Sequence, residues 1–136
     1  MSRFLAFAAL ALTAAAPALA APGQAPRWAG TWANGSDSVH IRTAPCGQGV
    51  CGTVIWANEK AKADAARGGT TQLIGTQILR DFQPDGQGGW TGQAFVPDAN
   101  VTVAGTMAMT SADTMDVSGC LFGQLGCTTQ HWHRVR

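Results

Sequence analysis

The sequence predicts an all-β protein, an eight-stranded antiparallel up-and-down barrel with one short helix or ordered loop near residues 58–67. Three observations favour this fold. Apolar and polar residues alternate with a period of two in short runs, turn residues separate the runs at short intervals, and the chain contains neither a repeat nor a heptad. Closing eight such strands into a barrel removes both sheet edges. A β-sandwich is the alternative architecture.

The first 20 residues are typical of a secretory signal peptide. Residues 1–3 carry the positive charge of Arg3, residues 4–16 are apolar apart from Thr13, and residues 18–20 form an Ala-Leu-Ala cleavage site. The apolar run is shorter than the roughly 20 residues that span a bilayer, so a retained membrane anchor is the less favoured interpretation. We expect cleavage after Ala20, secretion through the inner membrane and a periplasmic location.

The expected mature chain consists of a linker at residues 21–27 and a single barrel domain at residues 28–136. Removing Arg3 from the nine Lys and Arg residues leaves eight, which balance the eight Asp and Glu residues. A chain without net charge has no electrostatic reason to bind nucleic acid or anionic membranes. We therefore expect neither nucleic-acid partners nor membrane insertion.

The eight strands are predicted from alternation and turn signals. The clearest is 101–109, in which Val101, Val103, Gly105, Met107 and Met109 alternate with small or polar residues. Turn signals such as Asn-Gly and Pro-Asp-Gly separate the strands. The predicted strands are 28–34, 38–43, 50–56, 74–82, 90–96, 101–109, 114–121 and 128–135.

One segment, residues 58–69, interrupts the strands because it is rich in alanine and charge. Asn58 can cap the start of a helix there, and Gly68 can end it. We interpret the segment as a solvated connection between the third and fourth strands. The alternative is a lid over a cavity.

The four cysteines are expected to form two disulfides. All four lie in the mature chain, and an even number in an oxidising compartment favours pairing. Spacing favours Cys46 with Cys51 and Cys120 with Cys127, each pair flanking a hairpin loop, and each ring would stabilise the fold by about 2 to 3 kcal/mol. Redox catalysis and structural zinc are less favoured, because both use tighter Cys-x-x-Cys pairs.

The first and last strands carry matching aromatic and basic residues. Gly30 and Trp32 lie in the first strand, and Trp132 and Arg134 in the last. These strands are neighbours in a closed barrel, so a guanidinium can stack on an indole, a contact that contributes about 0.5 to 2 kcal/mol. The arrangement resembles the Gly-x-Trp and last-strand Arg of the calycins, the lipocalin-like barrels.

Residues suited to catalysis or metal binding are few. His131 and His133 share one face of a strand and could supply two metal ligands, but if Trp132 and Arg134 pack inward the histidines face solvent. Most acidic residues fall in predicted turns or in the charged segment, and no familiar catalytic motif is present. We expect no metal, no cofactor and no enzymatic activity.

Large apolar side chains on the strands suggest a ligand pocket as one alternative. Some of them must fill the barrel, so a packed core without a cavity is the other alternative. Methionines would give an adaptable wall to a pocket for a small apolar ligand. The candidate ligand-binding residues are Trp56, Trp90, Phe95, Met107, Met109 and Met115.

From residue 30 to residue 134 the chain resembles the exported bacterial proteins grouped as domain of unknown function 2147. The resemblance rests on the order and spacing of short pieces: Gly30-x-Trp32, Ile41, Cys46-Gly47, Cys51-Gly52, Val54-Ile55-Trp56, Gly75-x-x-Ile78-Leu79, Trp90-x-Gly92, Pro97, Gly119-Cys120-Leu121 and Gln130-x-Trp132-x-Arg134. It implies a lipocalin-like barrel and carries no assigned activity or catalytic residues.

The sequence therefore favours a periplasmic, lipocalin-like binding module for a small, mostly apolar ligand. The alternative is a structural or protein-interaction module of the cell envelope, with a filled core and an envelope protein as partner. A third hypothesis is a weak metal-binding protein or small hydrolase that uses His131 and His133.

Overall fold

The computed structural model describes residues 11–14, 25–122 and 125–136. In this part of the chain one helix, α1 (Glu59–Arg67), lies between the third and fourth of eight strands. The strands are β1 (Gly30–Ala33), β2 (Val39–Cys46), β3 (Gly49–Ala57), β4 (Gln77–Pro84), β5 (Trp90–Val96), β6 (Val101–Met109), β7 (Thr114–Phe122) and β8 (Leu125–Arg134). Most of the predicted signal peptide and linker lies outside the described residues.

The strands form a closed barrel in sequence order. Each strand pairs antiparallel with the next, and β1 pairs with β8. The predicted eight-stranded up-and-down barrel with one short helix is confirmed. No helix in the described ranges is long and apolar enough to cross a bilayer.

Only β5 and β6 have the predicted bounds, and the largest differences are in β1, β2, β4 and β8; β2 continues three residues further than predicted, to Cys46. β1 is limited to four residues, and β4 begins at Gln77 because residues 73–76 form a turn in which Thr76 donates to the carbonyl of Leu73 at 3.0 Å. β8 begins three residues earlier than predicted, because its pairing with β7 continues through Cys127 to Leu125. The hairpin therefore extends beyond its disulfide.

The connections alternate between the two ends of the barrel. The end that carries the β1–β2, β3–β4, β5–β6 and β7–β8 connections is called the mouth. The opposite end, with the other three connections and the chain termini of the domain, is called the base. A disulfide closes one hairpin at each end, Cys46–Cys51 at the base and Cys120–Cys127 at the mouth, as predicted.

The base is plugged by the first and last strands. The indole of Trp32 donates to Thr43 Oγ1 and to the carbonyl of Trp28, both at 3.1 Å. The guanidinium of Arg134 lies over the Trp32 ring, 4.4 Å from its centroid, and donates to the carbonyl of Ala29 at 3.0 Å. The predicted stacking of a last-strand arginine on a first-strand tryptophan is confirmed.

The core fills the barrel above this plug. The ring of Phe82 lies directly over Gly92 and Gly105, which face each other on β5 and β6. A Cβ atom at Gly92 would come within 2.6 Å of this ring, so the two glycines make room for it. The buried core residues are Trp32, Ile41, Val50, Leu79, Phe82, Met107, Met115, Val117 and Trp132.

Helix α1 is short, capped and fastened across the mouth. The side chain of Asn58 accepts from the amide of Ala61 at 2.8 Å, which caps the helix as predicted. The amide of Asn58 donates to the carbonyl of Ser38 at 2.9 Å, and Thr70 Oγ1, just after the helix, donates to the carbonyl of Pro97 at 2.9 Å. Both ends of α1 are thus tied to neighbouring connections, and it forms a fixed strap over part of the mouth.

Candidate functional site

Two adjoining cavities lie in the mouth half of the described barrel. One has a volume of about 550 Å³ and is called the polar compartment; the other, of about 350 Å³, is called the apolar compartment. The inner wall below them is the packed core. Both cavities are lined by Ile78, Val96, Pro97, Gln130 and Trp132. They are therefore two parts of one cup that is open at the mouth.

The apolar compartment exists because small side chains face inward on neighbouring strands. Ala94 on β5, Val103 on β6 and Gly119 on β7 line it. At the base, the comparable space beside Gly92 is occupied by the Phe82 ring. Strand alternation places all of these residues on the inner face, and side-chain size then decides which half of the barrel is open.

One wall of the polar compartment is formed by the β1–β2 connection. Asn34 Oδ1 accepts from the amides of Ser38 at 2.8 Å and Val39 at 3.0 Å, which fixes the orientation of its amide. Asn34 Nδ2 then donates to Ser38 Oγ at 2.8 Å and Ser36 Oγ at 3.3 Å. The two serine hydroxyls are 2.8 Å apart, so one hydroxyl proton serves that bond and the other can reach a ligand.

Another wall carries two charged residues of α1, Lys60 and Asp64. Lys60 donates to Asp64 at 2.8 Å, and Arg67 contacts the other oxygen of the same carboxylate. The hydrogen bond from Lys60 is the main cause that lowers the pKa of Asp64 below its ordinary value, with a smaller contribution from the charge of Arg67. Asp64 is therefore a carboxylate at neutral pH, and its charge is balanced within the helix.

Gln130 lies where the two compartments meet. Its Oε1 atom accepts from the Trp132 indole at 3.0 Å. Both residues are on the inner face of β8, and both line both cavities. Gln130 is exposed although it faces inward, because the cavity around it is open.

The rim of the apolar compartment is also apolar. Leu121, which lines this compartment, is 60% exposed, and the adjacent Phe122 and Leu125 are each 73% exposed. These side chains belong to the hairpin that the Cys120–Cys127 disulfide closes.

The structure does not bring the six predicted ligand-binding residues together. Phe95 is among the residues lining the apolar compartment, but its ring lies on the outer face, where the Arg80 guanidinium is 4.7 Å from the ring centroid. Met107 and Met115 are buried in the core, and Trp90 and Met109 pack against that core. Size and hydrophobicity selected mainly residues that belong to or pack against the core, whereas the cavities are lined by small, aliphatic and polar residues together with Trp132.

Trp56 lies on the outer surface because of a β-bulge in β3. Ile41 pairs with Val54 while His40 pairs with Trp56, so Ile55 is an extra residue. The bulge turns Ile55 and Trp56 outward, each 42% exposed, and Trp56 contacts the ring of His40 at 4.6 Å between centroids. Simple alternation from Val54 would have placed Trp56 inside.

The histidines of β8 lie on the outer face of the barrel. His131 and His133 are exposed, whereas Trp132 between them is buried, as alternation predicted. His131 Nδ1 is 2.6 Å from an oxygen of Asp116 on β7. Among the described residues, no group of three or more His, Cys, Asp or Glu side chains is arranged to hold a metal ion.

Comparison with solved structures finds a similar fold in protein HP1028 from the human pathogen Helicobacter pylori, which is described as belonging to the lipocalin family. The TM-score is 0.61 at 14% sequence identity, over 79% of this chain and 82% of that one. No curated protein sequence matches significantly. The model of a protein family, "Uncharacterized protein conserved in bacteria (DUF2147)", matches residues 30–134. The chain therefore belongs to the DUF2147 family, and its domain is a lipocalin-like barrel.

Proposed function

We propose that the protein is an exported, non-enzymatic binding protein that holds a small, mostly apolar molecule in the mouth half of the barrel. The observation that carries the proposal is the open apolar compartment of about 350 Å³ next to the polar one of about 550 Å³. Ligand sites in proteins commonly have about 300 to 1,000 Å³ and combine apolar walls with a few fixed polar groups. The cup has both properties.

The test uses N-phenyl-1-naphthylamine, a small uncharged dye whose fluorescence rises in apolar surroundings. We expect saturable binding to the wild-type protein. Val103→Phe places a ring in the apolar compartment and should weaken binding at least about tenfold, equivalent to ~1.4 kcal/mol. Ala104→Phe adds the same ring at the next residue of β6, on the exposed outer face, and is the matched control.

Two outcomes would refute the proposal. One is the absence of saturable dye binding to the folded wild-type protein. The other is an equal affinity in the Val103→Phe and Ala104→Phe proteins, which would place the dye outside the cup. Near-ultraviolet circular dichroism of each variant establishes that the barrel is folded.

Export is the second part of the proposal. It is supported by the signal-like first 20 residues and by two disulfides, which persist in oxidising compartments. The intact mass of protein isolated from a periplasmic extract should correspond to a chain that begins at Ala21 and carries both disulfides. Recovery of the full-length chain from the cytoplasmic fraction alone would contradict this.

A protein-interaction module of the cell envelope is the second candidate function. The observation that favours it is the exposed apolar rim, Leu121, Phe122 and Leu125, at the mouth. Size-exclusion chromatography of Phe122→Ser beside the wild-type protein addresses this candidate. The candidate would be supported if the wild-type protein forms a complex or a dimer that Phe122→Ser abolishes, while the dye affinity of the two proteins is the same.

A further inference from the structure

We infer that the ligand of this cup is uncharged and carries a hydrogen-bond acceptor, such as the carbonyl oxygen of a ketone, ester or amide, which binds the side-chain nitrogen of Gln130. The inference rests on the proposed function, because it specifies the ligand of the same cavity. Three features of the described residues support it: the orientation of one amide, its position, and the charges around it.

The orientation of the Gln130 amide follows from its neighbour. The indole nitrogen of Trp132 can only donate, so the Gln130 atom 3.0 Å from it must be the oxygen. The amide nitrogen is thereby directed away from Trp132. Its two N–H groups have no hydrogen-bond partner among the described residues, although the residue lines both compartments. A ligand acceptor can occupy that position.

The position of Gln130 matches an amphipathic ligand. On one side of it lies the apolar compartment, with Ala94, Val103 and Val117 in its wall. On the other side lies the polar compartment with the hydroxyls of Ser36 and Ser38. A ligand with its hydrocarbon part in the apolar compartment therefore brings an adjacent carbonyl group to the Gln130 nitrogen.

Charges around the cup disfavour an anionic head group, and the free donors of Gln130 disfavour a cationic one. In the described part of the chain, the charged residues lining the cup are Lys60, Asp64 and Asp98, all in the polar compartment. Lys60 is paired with Asp64 and its side chain is 83% exposed, so it offers little to a ligand carboxylate, which the nearby Asp98 would repel. An ammonium group can only donate, so it cannot accept a hydrogen bond from the Gln130 nitrogen. An uncharged acceptor can bind the Gln130 nitrogen and is not repelled by Asp98.

The experiment measures displacement of N-phenyl-1-naphthylamine by four ten-carbon ligands: decane, 2-decanone, decanoate and decylamine. The informative quantity is the ratio of a ligand's dissociation constants for a variant and for the wild-type protein. The free energy of transferring that ligand out of water is the same in both measurements and cancels in the ratio. Gln130→Glu keeps an oxygen for the Trp132 indole and replaces the free donors by a carboxylate. Gln130→Met removes the donors without adding charge.

We expect Gln130→Glu to weaken 2-decanone about tenfold, to leave decane within about twofold and to tighten decylamine. Gln130→Met should weaken 2-decanone about fivefold and leave decane unchanged. Gln93→Glu makes the same chemical change on the outer face of β5 and should alter none of the four affinities. In the wild-type protein, 2-decanone should bind more tightly than decanoate.

The outcomes distinguish a failure of the proposed function from a failure of the role assigned to Gln130. If none of the ligands displaces the dye, the proposed function itself fails and the inference fails with it. Decane and 2-decanone could both displace the dye, and each substitution of Gln130 could change their two affinities by the same factor. In that case the cup binds apolar molecules and the role of Gln130 is refuted. Tighter wild-type binding of decanoate than of 2-decanone would refute the preference for an uncharged head group.

Discussion

Replacing Arg134 tests how the base of the barrel is held closed. Its guanidinium stacks on Trp32 at 4.4 Å and donates to the carbonyls of Ala29 and Ala112 at 3.0 Å and to that of Arg27. The side chain is 18% exposed. We expect Arg134→Met to lose a cation–π contact of about 1 kcal/mol and the hydrogen bonds to three carbonyls, about 0.5 to 1 kcal/mol for each carbonyl, because the exposed carbonyls of Arg27 and Ala112 can be rehydrated.

The expected loss is therefore about 2.5 to 4 kcal/mol of unfolding free energy, a large fraction of a typical total of about 5 to 15 kcal/mol. Arg134→Lys keeps the charge but not the planar fork, so it should recover less than half of the loss. Urea unfolding followed by tryptophan fluorescence measures both values. The matched control is Arg80→Met, which removes an arginine 4.7 Å from the Phe95 ring on the outer face, where we expect a loss below about 1 kcal/mol.

An equal loss of unfolding free energy in Arg134→Met and Arg80→Met would refute this explanation. Both substitutions remove a cation–π contact, but only Arg134→Met also removes the hydrogen bonds that hold the base closed. A wild-type stability for Arg134→Lys would refute the geometric part. It would mean that a point charge is sufficient and that the fork of donors contributes nothing.

Three further predictions concern the mouth disulfide, the core and α1. Cys120→Ser with Cys127→Ser opens a small ring and should cost about 2 to 3 kcal/mol in urea unfolding; an unchanged midpoint after reduction of the wild-type protein would contradict this. Gly92→Ala places a methyl group against the core phenylalanine ring and should cost about 1 to 3 kcal/mol, whereas Thr91→Ala on the outer face should cost less than about 0.5 kcal/mol. Because Lys60 lowers the pKa of Asp64, the carboxylate stabilises the fold above its ordinary pKa of 3.8 and this contribution is lost as the pH falls through the lower folded pKa. Lys60→Met should therefore lower the thermal midpoint at pH 7 and have a progressively smaller effect as the pH falls below 3.8; an effect that does not decrease with falling pH would argue against the ion pair.

The sequence predicted the barrel because its signals are local. Period-two alternation, the turn residues and the Asn58 cap each act within a few residues, so strands, order and helix could be inferred without knowing the packing. The Trp32–Arg134 contact was also predictable, since an up-and-down barrel must bring its first and last strands together. Both disulfides followed from hairpin spacing in the same way.

The cup could not be predicted from the same signals, because its shape depends on which side chains meet across strands. Gly92 and Ala94 are both small and both face inward, yet the Phe82 ring covers the first and leaves the second open. The bulge at Ile55 then reversed the side on which Trp56 lies. Small residues on inner faces near the mouth, such as Ala94 and Gly119, indicate where the apolar compartment lies, whereas large apolar residues on the strands do not.

The short β1 strand has a consequence for how the barrel folds and opens. In the described residues β8 is ten residues long, yet it pairs with β1 only through Trp32 with Arg134 and Ala33 with His133. These pairs join segments about a hundred residues apart in sequence, so the entropy of loop closure makes them late to form and early to break. Amide protons of β1 should exchange with solvent before those of β5 and β6. A molecule in the polar compartment touches Asn34 on one side of this line and Gln130 on the other, so its binding should slow that exchange.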